Sequence, residues 1–308
     1  MKKFDAVQTK LLEAVAGFHE IPAGAFHIRA NGSTAASNST EHIEISPKEN
    51  GTGIDIRICP GTKGESLHMP VILSQTGWKE TVYNDFHIGE DADVTIIAGC
   101  GIHNGGEASS EHDGVHRFFV GKNAKIRYVE KHYGSGTGTG ERVMNPHTVI
   151  EIDENGCMEM DTVQIGGVDH SVRKTEAKLA AGARLTVMER LMTDGNQHAE
   201  SYFKVSMDGE GAGTNIVSRS VARDTSYQMF VSNIEGNAKC SGHTECDAII
   251  IGNARISAVP EITANDPDAA LIHEAAIGKI AGEQIVKLMT LGLTEAEAEE
   301  QIISGFLK

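Results

Sequence analysis

The sequence predicts a mainly β protein, a parallel β-helix with helical segments at its N- and C-termini. Three observations carry this. From about His42 onward apolar and polar residues alternate, as in His42-Ile43-Glu44-Ile45 and Ile54-Asp55-Ile56-Arg57-Ile58; this is the period of a half-buried strand. A degenerate repeat follows: an apolar residue, two variable ones, a turn-type residue, a small residue, one more, and usually an apolar residue. Glycines number 34 while aromatics are only 5%, which suits a repetitive architecture with many tight turns.

The elements follow in chain order. Phe4, Val7, Leu11, Leu12, Val15 and Phe18 recur at helical spacing, which predicts an amphipathic N-terminal helix. Pro22 and Gly24 end it. The repeat reads Ile88-Gly-Glu-Asp-Ala92-Asp-Val94, Val120-Gly-Lys-Asn-Ala124-Lys-Ile126, Ile152-Asp-Glu-Asn-Gly156-Cys-Met158 and Leu179-Ala-Ala-Gly-Ala183-Arg-Leu185, with weaker copies from Met207, Ile234 and Ile250. The starts are 32, 32, 27, 28, 27 and 16 residues apart. A coil cannot bury its apolar face alone, so coils must stack, and the 16-residue step fits half a coil of two strands. Asn123 and Gly182 are expected at corners; Val94, Ile126 and Leu185 are expected inside. A β-sandwich is the alternative, but its turns recur about every 8–12 residues and need share no motif. After Pro267 helical spacing returns, with Ile277, Ile280, Leu288 and Leu291 as an apolar stripe closed by Gly292. Thr294-Glu-Ala-Glu297 reads as a capping box opening a last helix. Residues 261–308 carry nine acids and three Lys, consistent with a solvated cap on the end of the stack. The expected organisation is an N-terminal helical segment over 1–38, a β-helix core over 39–262 and a C-terminal helical segment over 263–308.

Composition narrows the function. Forty-three acidic residues against 27 basic ones give a net charge of −16, which repels phosphate backbones and argues against a nucleic-acid partner. Lys2 and Lys3 imitate a signal n-region, but Asp5, Lys10 and Glu13 interrupt the apolar stretch that should follow. No apolar run is long enough to span a bilayer. Five cysteines, an odd number widely spread, suit a reducing compartment rather than a disulfide framework; the expected location is the cytoplasm.

Chemical motifs are sparse. There is no phosphate-binding G-x-x-x-x-G-K-[ST], and Gly134–Gly140 lacks the G-x-G-x-x-G spacing. His273-Glu274-Ala-Ala-Ile277 begins like a zincin motif, but Ile277 stands where the second His belongs. The informative stretch is Cys240-Ser-Gly-His243-Thr-Glu245-Cys246-Asp247, followed by His273-Glu274. Thiolate, imidazole and carboxylate together suit iron or zinc, while inert buried cysteines are the other reading. On a regular strand Cys240 and Cys246 share a face and His243 points away. His112 and His116, with His103 nearby, have the i, i+4 spacing of a helical metal site, but the segment lies among strands and they read as loop or rim histidines; Cys100, ending an apolar strand, reads as a small core residue. Cys59 and Cys157 receive no role.

Several stretches carry a resemblance. Glu245-Cys-Asp-Ala-Ile-Ile-Ile-Gly252, Pro260-Glu261, His273-Glu-Ala-Ala-Ile-Gly-Lys-Ile280, Gly282-Glu-Gln284 and Gly292-Leu-Thr-Glu-Ala-Glu-Ala298 resemble, in order and spacing, the SufB/SufD family of scaffold proteins of Suf iron–sulfur cluster assembly. The match is dense from about 234 to 306. The resemblance implies a right-handed parallel β-helix and a non-enzymatic scaffold that builds and transfers a nascent iron–sulfur cluster. It implies that Cys246, His273 and Glu274 hold the cluster or its iron. Cys100 resembles a second SufB cysteine implicated in sulfur transfer, although Ala98 stands where that motif has Glu. Implied partners are a SufC-type ABC ATPase docking on the C-terminal helices, a second copy or a SufB/SufD paralogue, and a cysteine desulfurase or other sulfur donor. A β-helix enzyme acting on carbohydrate needs aromatic platforms, which one Trp and five Tyr serve poorly. A zinc-binding structural protein is the remaining alternative; metal analysis of anaerobically purified protein separates it.

Overall fold

The computed structural model describes residues 4–49 and 51–308; Lys2 and Lys3 lie outside them. Two ten-stranded sheets face each other across a flattened parallel β-solenoid of about eight turns. From the N-terminal end, the first sheet runs Ser33–Asn38, Ala25–Ala30, Lys63–Leu73, Asp93–His103, Lys125–Ser135, Cys157–Ile165, Arg184–Thr193, Gly213–Ala222, Ser241–Ile250 and Ala270–Gly278. The second runs Ile43–Pro47, Gly53–Ile58, Lys79–Ile88, Ser110–Val120, Arg142–Met144, His170–Leu179, His198–Met207, Tyr227–Gly236 and Arg255–Ala264, with His147–Ile152 beside Arg142–Met144 in the same layer. Pairing is parallel except for two antiparallel hairpins at the N-terminal end. Pro146, which has no N–H, falls in the break between Arg142–Met144 and His147–Ile152. The Asn145 side chain bridges that gap by accepting from the Val172 N–H at 3.1 Å.

The repeat maps onto the corners. Asp91, Asn123, Asn155 and Gly182 all hold φ between 56° and 67°, the left-handed conformation that Asn, Asp and Gly tolerate. They stack coil on coil: the Asn123 amide donates to Asp91 at 3.1 Å, and a Cβ on Gly182 would meet Asn155 Oδ1 at 2.3 Å. Val94, Ile126 and Leu185 are buried as expected. The half-coil step also holds, since Gly252 turns the chain from one sheet into the other.

The ends differ from the sequence expectation. α1 covers only Ala6–Ala16, capped by Asp5 and Gln8 in a reciprocal box, and strands already form from Ala25. Leu11, Leu12 and Val15 bury against the outer face of the first sheet, each contributing about 1.5–3 kcal/mol. Gly99 and Gly101 permit the close approach: a Cβ on Gly99 would lie 2.8 Å from the Val15 carbonyl. At the other end Ile277 belongs to a strand, not a helix. Pairing with Ser241–Ile250 over nine residues overrides the helical spacing of Ala270–Gly278. α2 (Gly282–Met289) and α3 (Glu295–Phe306) follow. Thr294 and Glu297 form the expected capping box, but α2 ends at Thr290, before Gly292.

The two C-terminal helices do not lid the stack. Ile303 and Leu307 of the α3 segment pack with Val221, Met192 and Ile249. Val221 and Ile249 are ladder partners on the outer side of the first sheet. The last coil therefore stays open: Ile262 and Ile277, at inward positions, are 43% and 40% exposed.

Candidate functional site

Apolar residues fill most of the solenoid interior, but polar ones run through it in register. At one position the first sheet reads Ala98, Glu130, Thr162, Glu189, Ser218, Cys246 and Ala275, strand by strand. Two residues further on it begins Cys100, His132, Gln164. Facing strands of the second sheet supply His112, Arg173 and Ser201. In a parallel stack each inward position meets its counterpart one coil on, about 4.8 Å away, so polar groups at one register can hydrogen-bond along the axis.

Arg173 lies at the centre. It donates to Glu130 at 2.6 Å and stands 3.7 Å from Glu189. Ser201 and Ser218 donate to the two oxygens of Glu189 at 2.6 and 2.7 Å. Ser218 is the ladder neighbour of Cys246. On the other side, Tyr128 donates its hydroxyl to Glu130 at 2.8 Å and pairs with His116 Nδ1 at 2.9 Å. That arrangement makes His116 Nδ1 the donor and leaves Nε2 to accept from Asn84 at 3.3 Å. His116 is thereby satisfied as a neutral ring, and burial pushes its pKa down to about 4. Burial would raise the Glu130 carboxyl, but Arg173 and His132 hold it well below the usual carboxylate range.

Cys100 is buried in a small apolar cluster, with His112 and His132 beside it. Burial alone would raise its thiol, yet the charge of His112, with His132 adding to it, brings it down to about 7. Burial would lower His112, but Cys100 and Glu80 raise it to about 10; His132, opposed by burial in the same way, rises to about 9 through Glu130 and Cys100. Glu80 orients His112 by accepting from Nδ1 at 3.1 Å, and Arg29 fixes Glu80 at 3.0 Å. His132 Nε2 finds no partner of hydrogen-bond geometry, with the nearest Glu130 oxygen at 3.6 Å. His132 Nδ1 accepts from the Arg173 guanidinium at 3.4 Å, so His112 is the cation that favours the Cys100 thiolate.

Cys246 stands in contrast. Burial and the Glu189 carboxylate push its thiol up to about 12. It sits one coil inside the open end, with Ala275 beside it on the last strand. His273 faces the same interior, opposite Thr244 and bonded to its hydroxyl at 2.6 Å. Glu274, the next residue, faces outward with its side chain 67% exposed. Within one chain the sheet thus brings Cys246 and His273 to one side and leaves Glu274 on the other. His243 and Glu245 lie on Glu274's side, so the sequence expectation that His243 points away from Cys246 holds.

Comparison with known proteins identifies the family. A family model described as "SUF system FeS cluster assembly, SufBD core domain" matches residues 79–306. The chain belongs to the SufBD family. The iron–sulfur cluster assembly SufBD family protein MJ0034 of Methanocaldococcus jannaschii is 29% identical over 249 residues, covering 78% of this chain and 76% of its own. A SufBD family protein of Archaeoglobus fulgidus is 30% identical, covering 87% and 71%. The protein PH0883 of Pyrococcus horikoshii is 28% identical, covering 88% and 82%. SufBD membership makes the chain a component of iron–sulfur cluster assembly and a scaffold rather than a catalyst. Among the described residues no helix is long and apolar enough to cross a membrane.

Sequence reading missed Glu80, Glu130, His132, Arg173 and Glu189, and placed His112 and His116 on loops or the rim, whereas both are buried in strands. The signal was available. Once the repeat sets Ile126 inside, Tyr128, Glu130 and His132 must follow it inward, because a strand alternates strictly.

Proposed function

We propose that this SufBD protein assembles an iron–sulfur cluster at Cys246, with sulfur entering at Cys100 and iron held with the help of His273 and Glu274. The observation that carries this is the buried polar row joining the two cysteines. Five strand steps separate them, about 24 Å, and Glu130, Arg173, Glu189 and Ser218 fill the interval. The Cys100 thiolate attacks the outer sulfur of a donor persulfide, such as that of a cysteine desulfurase. The donor S–S bond breaks, the donor cysteine leaves as thiolate, and a persulfide forms on Cys100. No oxidant is required.

One chain offers one thiolate and one imidazole at the open end, fewer than the roughly four ligands a cluster needs. A second copy, or a SufB/SufD paralogue, joined there supplies the rest. The unpaired edges of Arg255–Ala264 and Ala270–Gly278 and the exposed Ile262 and Ile277 favour such an end-to-end contact. Cys246→Ala should abolish the visible chromophore after anaerobic reconstitution with iron and sulfide, while Cys59→Ala and Cys157→Ala should retain it. A full cluster on Cys246→Ala would sink the assignment.

The SufC-type ATPase is assigned to the C-terminal helices. Val286, Met289 and Leu291 are 59%, 43% and 75% exposed, beside Glu295, Glu297, Glu299 and Glu300, an apolar face with an acidic rim that suits a basic-edged groove. Deleting 293–308 should abolish co-purification with the ATPase and leave the solenoid folded. Because α3 also packs on the solenoid, Leu291→Glu is the sharper variant, expected to weaken ATPase binding at least tenfold. Undiminished binding by both variants refutes the docking site.

A further inference from the structure

We propose that His243, Glu245 and Glu274 form a binding site for a divalent first-row metal ion, iron(II) in this protein, on the outer face of the first sheet. This extends the cluster-assembly reading by assigning iron a nitrogen- and oxygen-ligated site of its own, separated by the thickness of the sheet from the thiol of Cys246. Glu245 and Glu274 are ladder partners on adjacent strands, and His243 lies two residues before Glu245 on the same face. One ligand atom from each of the three comes within 4.8 Å of the others. His243 Nε2 lies 3.5 Å from Glu274 Oε2. Donors around one ion at about 2.1 Å stand about 3–4 Å apart, a spacing the His243–Glu274 pair already has.

A residue outside the trio points to a ligand. Asn215, on the preceding strand, holds His243 Nδ1 at 2.8 Å through its side-chain oxygen. A carbonyl acceptor there fixes the proton on Nδ1 and leaves the Nε2 lone pair bare, aimed at the carboxylates. Metal-bound histidines are prepared in this way. Another group of similar composition, Asp55, Asp85 and His87, makes the contrast. Its carboxylates are already clamped by Lys48 and Arg117, so protein cations fill the place of an ion. Among the described residues, Glu245 and Glu274 make no salt bridge with lysine or arginine. One imidazole and two carboxylates form a borderline-hard set that suits iron(II), manganese(II) or zinc rather than copper(I). Alternation along the strand then gives the site its meaning. Glu245 precedes Cys246 and Glu274 follows His273, so one pair of strands presents an oxygen-rich face outside and a sulfur- and nitrogen-bearing face inside.

Manganese(II), which binds nitrogen and oxygen sites less tightly than iron(II), is the probe. The purified full-length protein is titrated anaerobically and free ion is read by electron paramagnetic resonance, with iron(II) added as competitor. Wild type should bind an ion that iron(II) displaces. His243→Ala and Glu245→Gln should each lose at least tenfold in affinity, and Asn215→Leu, which touches no metal, about tenfold. Cys246→Ala should keep the site while losing the reconstituted chromophore, so failure of the cluster reading and failure of this one are distinguishable. No manganese(II) binding by wild type, unchanged binding by folded His243→Ala and Asn215→Leu, or loss of the site in Cys246→Ala overturns the proposal.

Discussion

Arg173→Met is expected to destabilise the solenoid by about 3–5 kcal/mol, the cost of leaving a buried charge without its partner. Arg173 is 5% exposed and lies between Glu130 and Glu189, which are 2% and 4% exposed. Removing the guanidinium leaves two buried carboxylates, two strand steps apart on the same sheet, without their shared cation. Glu130→Gln in the Arg173→Met background should recover part of the loss, because it removes one stranded charge. The pH dependence has a definite sign. The Glu130 carboxyl is held below its unfolded value. Its stabilisation is therefore complete above about pH 4.3, the unfolded value, and is lost as pH falls toward the folded one. The gap between wild type and Arg173→Met should be full at pH 7 and narrow on acidification. Urea unfolding midpoints at neutral and acid pH measure both effects. A midpoint for Arg173→Met indistinguishable from wild type at pH 7 would show that the row is not held by this charge.

That row explains which parts of the protein were readable in the sequence. Corners were legible because their requirement is local: Asn123, Asn155 and Gly182 must take positive φ, and few residues do so cheaply. Strand alternation was legible for the same reason. The C-terminal end was not, because Ala270–Gly278 is composed of residues comfortable in a helix, and only the neighbouring strand makes it a strand. Of the residues proposed for the cluster, Cys246 was found through its motif. Its environment was hidden, since Glu189 and Ser218 lie 57 and 28 positions earlier and meet it only through the stacking of coils. Coils here vary from 27 to 32 residues. A one-residue error in register would turn every inward charge outward. Cys100 illustrates the same limit. Its strand reads as apolar core, and nothing local announces that His112 and His132 face it.

The Cys100 thiol should titrate near pH 7, and its acidity should depend on Glu80, which does not touch it. Burial opposes ionisation, so the thiolate depends chiefly on the charge that His112 carries beside it. Glu80 keeps the proton on His112, and Arg29 keeps Glu80 ionised and in place. In Glu80→Gln the imidazole loses its anionic partner, and the Cys100 pKa should rise by about one unit. His112→Asn removes the cation itself and should raise the thiol by about two units or more. From a pKa near 7, the first unit cuts the thiolate fraction at pH 7 about fivefold and each further unit about tenfold, and with it the rate of sulfur uptake from a persulfide donor. Ultraviolet thiolate absorbance against pH, in a chain whose other four cysteines are replaced by serine, measures the titration without requiring access to the buried sulfur. Arg29→Lys retains a cation for Glu80 and should leave the profile near wild type, whereas a purely structural role for Glu80 would move unfolding but not the titration. A wild-type thiol titrating above its ordinary value, or a Glu80→Gln profile that overlays wild type, would remove Cys100 from the proposed sulfur route.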